Sequence, residues 1–464
     1  MARVKLMARV TETQPLVVVT PQAPSGTLSG RVIAKALRDN ALLAFPPEAF
    51  EEDVVYRRFF GRQQIILNRP AGIHHILVEN PDNYRRTPAT MRMLRPLLGN
   101  GLLLSEGEDW KHQRRTVAPA FAPRTMPLLA RHVARAAEAA VDSLAASAER
   151  RVDLLATMQS LALEIAGTSM FSLAMERYRP ELRDLITRYT AGLGRPSLPD
   201  FLLPLWIPSP RDLARRRVRR RWVALIGRII AERRGKASVE APRDLFDLLS
   251  TARDPETNSP FSAENLVDQV ATLITAGHET TGVSLFWSLW LVAAAPAVQE
   301  QLAAECERLD LGPDNAGEIL PRLVYTRAVV QEALRLYPPA FTIVRLANYG
   351  DDAGGIKVPA GAIVFIAPWA LHRHRRLWSQ PEVFDPARFL PGAPVPDRFA
   401  YLPFGIGPRV CIGAQFALTG ATLVVATMIK AFRIERADGD PVMPVGIVTT
   451  QPDRSPLFRL QPRR

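Results

Sequence analysis

Apolar and polar positions alternate over Val54–Phe60 and again over Gln63–Asn68, with Gly61-Arg62 between them. A period of two predicts a pair of strands joined by a tight turn, and Ala71–Glu79 then reads as a short helix. From Pro127 to about Leu249 the spacing is helical, with one break at Gly192–Pro210, where five prolines sit among Phe201, Leu202, Leu203, Leu205, Trp206 and Ile207. Ser262 predicts an N-cap, with Glu264 in the first turn, for a helix that runs to Ala295 before Pro296 stops it. At about 1.5 Å per residue this helix is roughly 50 Å long, enough to cross a whole domain. It contains the longest apolar run, Gly282–Ala295, which is too short to span a bilayer and follows directly on polar His278–Thr281, so it reads as a buried core helix. Leu323–Leu336 predicts a shorter helix ahead of Pro338-Pro339. Strand-like segments follow at Phe341–Leu346 and Ile363–Ala367, a last helix covers about Gly413–Phe432, and the tail is turns and short strands. The expected fold class is mainly α with minor β-sheets (α+β).

Composition adds few surprises: 464 residues, 47% hydrophobic and 23% charged, enough apolar material for a large core. A single domain is expected over 27–464, behind a flexible N-terminal arm, 1–26. Met1–Val4 recurs at Met7–Val10, which makes Met7 a candidate start. Leu16–Val19 is far too short for the apolar core of a signal peptide, and no membrane anchor is expected. Two cysteines, Cys306 and Cys411, cannot build a disulfide framework, so a cytoplasmic location and a structural role for Cys306 are expected.

The net charge of +13 suits nucleic acid, an acidic protein or an anionic lipid surface. Without a nucleic-acid module, zinc spacing or stacking platform, nucleic acid is set aside. Seven arginines crowd Arg211–Arg221, just after the apolar Phe201–Ile207. Two readings stand: a solvated helix face beside a packed loop, or a unit that touches an anionic membrane and draws lipophilic substrate from it.

The most informative stretch is Phe404-Gly405-Ile406-Gly407-Pro408-Arg409-Val410-Cys411-Ile412-Gly413. Gly405 and Gly407 permit a tight turn and close approach to a flat partner. Cys411 falls just before a helix, where free N–H groups favour a thiolate. Arg409 suits an anionic carboxylate, and Phe404 can shield the sulfur. At every constrained position the segment resembles the heme-ligand signature of the cytochrome P450 superfamily. The resemblance implies a soluble, bacterial-type heme-thiolate monooxygenase, with a long central helix over heme b and Cys411 as the iron ligand.

Other segments carry the same resemblance in the expected order. Ala276-Gly277-His278-Glu279-Thr280-Thr281 places glycine and two threonines, poor helix-interior residues, in mid-helix. In the family this motif forms a groove over the iron: Thr280 would steer protons to bound dioxygen and Glu279 would relay them from solvent. His278 is expected to be structural or solvent-facing. Glu332 and Arg335 are i,i+3 neighbours that resemble the family's helical ion pair, and Arg388 in Pro386–Phe389 would complete a structural triad. Trp110 and Arg114 resemble the pair that grips a heme propionate, with Arg345 and Arg409 as further candidates. Gly405, Gly413, Ala276 and Gly277 complete the expected cofactor cradle.

The implied reaction inserts one atom of O2 into a C–H or C=C bond. No nicotinamide, flavin or iron–sulfur fingerprint is present, so electrons from NAD(P)H would arrive through a separate ferredoxin or flavodoxin and its reductase. The candidate pocket segments, Arg86–Leu98, Pro199–Ile207, Leu273–Thr281, Ala340–Ile343 and Val448–Thr450, are largely apolar. They imply a lipophilic small molecule such as a fatty acid, terpenoid or polyketide. A monomer is expected. The rival readings are a heme-thiolate peroxygenase or isomerase, which needs no redox partner, and a non-enzymatic heme sensor.

Overall fold

The computed structural model describes residues 15–23, 30–59, 61–147, 151–173, 175–234 and 242–463. Its axis is the helix Ala263–Ala294, where the Ser262 side chain accepts the Asn265 N–H at 3.1 Å as the expected N-cap. At about 1.5 Å per residue it is about 48 Å long. At Ala295-Pro296 the chain bends by 111° into Pro296–Cys306, because proline cannot supply the next helical N–H.

Burial follows the apolar run. Every residue from Gly282 to Val292 is buried, and Trp287 stacks on Tyr337 at 3.9 Å while its indole N–H donates to Thr450 O at 2.9 Å. Helices Leu154–Phe171, Val324–Leu336 and Ala414–Ala431 pack against this axis, and Met126–Ala146 packs on the first and last of these. At Gly282 a Cβ would lie 3.0 Å from Gln159 Cα, so glycine is what lets helix Leu154–Phe171 come this close. Among the described residues one straight helix, Ala414–Ala431, is long and apolar enough to cross a membrane, and 61% of it is buried inside the protein.

The predicted hairpin forms with Val54 opposite Leu67 and Phe59 opposite Arg62; Phe60 lies outside the described residues. It opens a five-stranded sheet in the order Val54–Phe59, Arg62–Leu67, Ile363–Ile366, Ile343–Ala347, Tyr84–Arg85. A second sheet joins Val152–Asp153, Leu457–Pro462 and Phe432–Arg436. The sheets thus sit at the margins of a helical body, as the periodicities imply.

Two expectations shift. Of the arm 1–26, residues 1–14 and 24–26 lie outside the described residues. The part between is pinned: Val17 bridges Val383, and Val18 is buried with its N–H on Glu382 O at 2.9 Å. The arginine run is likewise not one solvated face. Arg215 is 1% exposed, ion-paired to Asp200 at 2.6 Å and Asp212 at 3.0 Å, and Arg219 pairs with Asp268. Arg216, Arg217, Arg220 and Arg221 remain outward.

Glu332, Arg335 and Arg388 meet. Arg335 donates from two nitrogens to the two Glu332 oxygens at 2.7 and 2.8 Å, and onward to His372 O, Pro381 O and Val383 O at 2.7–3.0 Å. Both partners are 0% exposed, so the charges survive burial only because every polar atom has a partner. Arg388 is the looser member, with Nε at 3.5 Å from Glu332 Oε1 and its other donors on Ser379 Oγ and Gln380 O. Arg335 thereby ties its helix to the 372–383 segment. Glu332→Ala should cost about 3–5 kcal/mol by stranding a buried cation, and Arg388→Ala only about 1 kcal/mol. Urea unfolding checks the order; equal losses would contradict it.

Candidate functional site around Cys411

The loop before helix Ala414–Ala431 is wound by its own backbone. Gly405 N–H donates to Leu402 O, Val410 N–H to Gly407 O, and Cys411 N–H to Phe404 O at 2.9 Å. Gly405 and Gly407 take φ of +69° and +77°, a region L side chains rarely adopt. They differ in surroundings: a Cβ on Gly407 would sit 2.0 Å from Leu77 O, whereas one on Gly405 would find its nearest atom at 3.8 Å. The Phe404 ring packs on the main core cluster. Gly413 is the N-cap of the helix, and Ala417 N–H already donates to its carbonyl.

Cys411 is a free thiol with exposed surface, yet protein encloses it closely enough that burial pushes its pKa up, opposed by the Gly413 N–H and the Arg114 charge. Cys306 differs: it is buried, 3.9 Å from Thr326 Oγ1, with its thiol pushed up to about 11, as an inert core cysteine should be.

Cations gather beside the loop. Arg114 donates to Val410 O at 2.8 Å, and Arg345 to Val344 O at 3.0 Å; among the described residues neither has a carboxylate partner. Burial, together with the charges of Arg86 and Arg409, pulls Arg345 down to about 9. Arg409 donates to Ser105 O at 3.0 Å and to Glu106, and its guanidinium lies over the Trp110 ring at 4.3 Å. The structure therefore joins Trp110 to Arg409. Glu106, which sequence reasoning missed, also takes Arg86 at 2.8 Å. Their separations of 20 and 303 residues leave no local pattern to find.

The central helix holds this edge in place. Asn100 N–H donates to Asp268 Oδ2 at 2.7 Å, Leu102 N–H to Gln269 Oε1 at 3.1 Å, and Thr272 Oγ1 to Leu98 O at 3.0 Å. A Cβ on Gly101 would fall 2.1 Å from Thr272 Oγ1. One turn further on, Ala276 is exposed in the middle of the helix, and a Cβ on Gly277 would meet nothing within 4 Å. Thr280 Oγ1 donates back to Ala276 O at 2.6 Å, which satisfies the hydroxyl within the helix. Glu279 turns away to the C-terminal hairpin, where Thr449 Oγ1 and Gln451 Nε2 donate to its Oε1 at 2.8 and 2.9 Å. His278 is buried with Nε2 on Gln159 O at 3.1 Å, and burial pulls it down to about 4, so it is a neutral structural histidine. Leu97 and Phe341, expected in a pocket, sit in the core clusters.

A helical body with an exposed free cysteine at the mouth of a late core helix suits a thiolate-ligand heme domain, and comparisons with known proteins agree. Residues 48–456 match the family model for Cytochrome P450. The chain belongs to the cytochrome P450 family. It is 33% identical to cyclooctatin synthase of Streptomyces melanosporofaciens, covering 91% of each protein. It is also 34% identical to cyclooctat-9-en-7-ol 5-monooxygenase of the same organism (74% of this chain, 75% of that protein). Pentalenene oxygenase of Streptomyces avermitilis is 31% identical over 80% of this chain and 81% of its own. The crystal structure of the cytochrome P450DA heme domain superposes with a TM-score of 0.81 at 25% identity, covering 97% and 98% of the two chains. The chain is a cytochrome P450 monooxygenase, and the family implies heme b. The donor set fits that group: a free sulfur at a helix mouth, an open helix face, and cations lacking counter-charges for its two carboxylates.

The two loop glycines should separate on substitution. Gly405→Ala meets only backbone strain, about 1 kcal/mol, while Gly407→Ala must also displace the Leu77 carbonyl and should cost at least about 2 kcal/mol more. Denaturant melts of the two variants check this; equal costs would contradict it.

Proposed function

We propose that this enzyme inserts one atom of O2 into a lipophilic, terpenoid-like small molecule, using NAD(P)H electrons passed through a separate ferredoxin or flavodoxin and its reductase. The observation that carries the reading is the free, enclosed sulfur of Cys411 beside under-compensated arginines. The relatives named cyclooctatin synthase, cyclooctat-9-en-7-ol 5-monooxygenase and pentalenene oxygenase support the substrate class.

Heme, when bound, supplies the redox chemistry that activates dioxygen, and a thiolate ligand favours O–O cleavage. The chain's residues do the rest. Cys411 would hold the iron, with Phe404 screening the sulfur from water and the Gly413 N–H stabilising its charge. Arg114, Arg345 and Arg409, the last braced by Trp110 and Glu106, would hold the propionates. Ala276 and Gly277 would leave room for substrate and dioxygen, and Thr280 and Glu279 would handle protons. The intact Glu279-Thr280 pair favours this over a partner-free peroxygenase or isomerase.

The test begins with optical titration of the ferric protein against a panel of terpenoid alkenes and alkenols. A ligand that shifts the heme band should then be turned over with NAD(P)H, ferredoxin and reductase, incorporating one atom from 18O2. Turnover with peroxide alone, and none with the reductase chain, would contradict the reading. The propionate assignment has its own signature. A base whose pKa is lowered in the fold destabilises it at every pH below that value, and at pH 7 Arg345 is such a base. Arg345→Met should therefore leave the heme-free protein at least as stable as wild type at neutral pH, yet lower heme affinity about tenfold or more. Heme-transfer assays check the affinity; unchanged retention would refute the assignment.

A second reading has its own observation. Leu198, Leu202, Leu205, Trp206 and Leu213 are exposed, Trp206 at 80%, near outward Arg216, Arg217 and Arg220. Such a patch suits peripheral contact with anionic lipid by a cytoplasmic protein. Flotation with phosphatidylserine vesicles should recover wild type and lose Trp206→Ser combined with Arg216→Glu and Arg220→Glu; equal recovery refutes it.

A further inference from the structure

Glu279 sits in the middle of the central helix. Among the described residues it makes no ion pair; its contacts are the Thr449 hydroxyl and the Gln451 amide, and both act on the same oxygen, Oε1. Gln451 Nε2 also donates to Thr449 Oγ1 at 2.9 Å, so the three side chains close a small ring. Oε2 receives no donor from the described residues.

The clamp is built on rigid supports. Thr449 ends the turn before strand Thr450–Pro452, which carries Gln451 and pairs back on Pro444–Gly446. Between them Thr450 is locked from three directions: its N–H donates to Pro339 O at 3.1 Å, its hydroxyl to Pro338 O at 2.6 Å, and its carbonyl accepts the Trp287 indole at 2.9 Å. Trp287 is two turns along the helix that carries Glu279. The hairpin and the acid are therefore fixed to the same helix at two points.

Glu279 also lines a cavity of about 190 Å³, shared with Gln159, Ser160, Thr187 and Thr190. The charged or titratable groups facing it are Arg179 (paired to Glu164), Arg183, Arg195 and neutral His278. Burial raises the Glu279 pKa, and the two donors oppose the rise.

We propose that Thr449 and Gln451 are positioning residues that hold Glu279 by Oε1, so that Oε2 alone exchanges protons with water in the cavity beside the central helix. This rests on the monooxygenase reading, in which Glu279 relays protons, and it adds where the acid is anchored, which oxygen works and from which side protons enter. Nothing in the sequence pairs residues 170 positions apart; the contact is visible only in the fold.

The test is infrared difference spectroscopy of heme-loaded protein across a pH titration, with the Glu279 carboxyl band assigned by its loss in Glu279→Gln. In wild type the band should shift promptly in D2O. Donors to Oε1 favour the ionised form, so Thr449→Val and Gln451→Met should each raise the midpoint, lowering the ionised-to-protonated ratio at fixed pH about threefold or more. Thr449→Ser keeps the hydroxyl and should retain the wild-type midpoint, which separates loss of the hydrogen bond from general disturbance of the hairpin. Unchanged midpoints in both variants, a Ser variant that behaves like Val, or a band that does not respond to D2O would overturn the proposal. Reduced carbonyl spectra of the same samples keep the two ideas apart: a thiolate-type band with unmoved midpoints sinks only the clamp, while its absence in wild type sinks the monooxygenase reading as well.

Discussion

Charge inside protein must find counter-charge, and the edge of the cysteine loop is where this chain leaves the balance open. Arg86, Arg114, Arg345 and Arg409 gather there, and among the described residues Glu106 is the one carboxylate in ion-pair contact with any of them. An isolated buried cation costs several kcal/mol, so a fold that collects four around one anion is unstable in that region unless a further anion arrives. A flat dianion whose centre binds sulfur meets both demands at once. Arg335 shows the contrast: more deeply buried, it has two Glu332 oxygens and three carbonyls, and holds the scaffold without needing a ligand.

The rest of the architecture serves that edge. The central helix fixes residues 98–102 through Asp268, Gln269 and Thr272, which sets where Glu106, Trp110 and Arg114 begin. The same helix, further along, carries Ala276–Thr280 and anchors the C-terminal hairpin through Trp287. Fold and site therefore share one load path. The glycines of the cysteine loop show this in miniature, since Gly407 is required as much by the Leu77 carbonyl as by its own φ.

Local chemistry made much of this legible from sequence. The Ser262 cap, the Pro296 stop, the hairpin at Gly61 and the cysteine loop each depend on residues close together in the chain, and each appears where periodicity and turn chemistry put it. What escaped depends on distant partners. Arg215 looks like part of a solvated run, but Asp200 and Asp212 take it into the core; Glu106 looks like a loop acid, but Arg409 lies 303 residues away. Val18 and the Thr449–Gln451 clamp are of the same kind. Long-range pairing of single polar residues leaves no periodic trace, so only the fold can reveal it.

We propose that the ionised Cys411 sulfur is what the heme iron binds. The reduced carbonyl spectrum of heme-loaded protein tests it most directly. Wild type should show the long-wavelength band of a thiolate ligand, and Cys411→Ser should lose it while remaining folded. A histidine-type band in wild type, with an identical trace from the serine variant, would contradict the account.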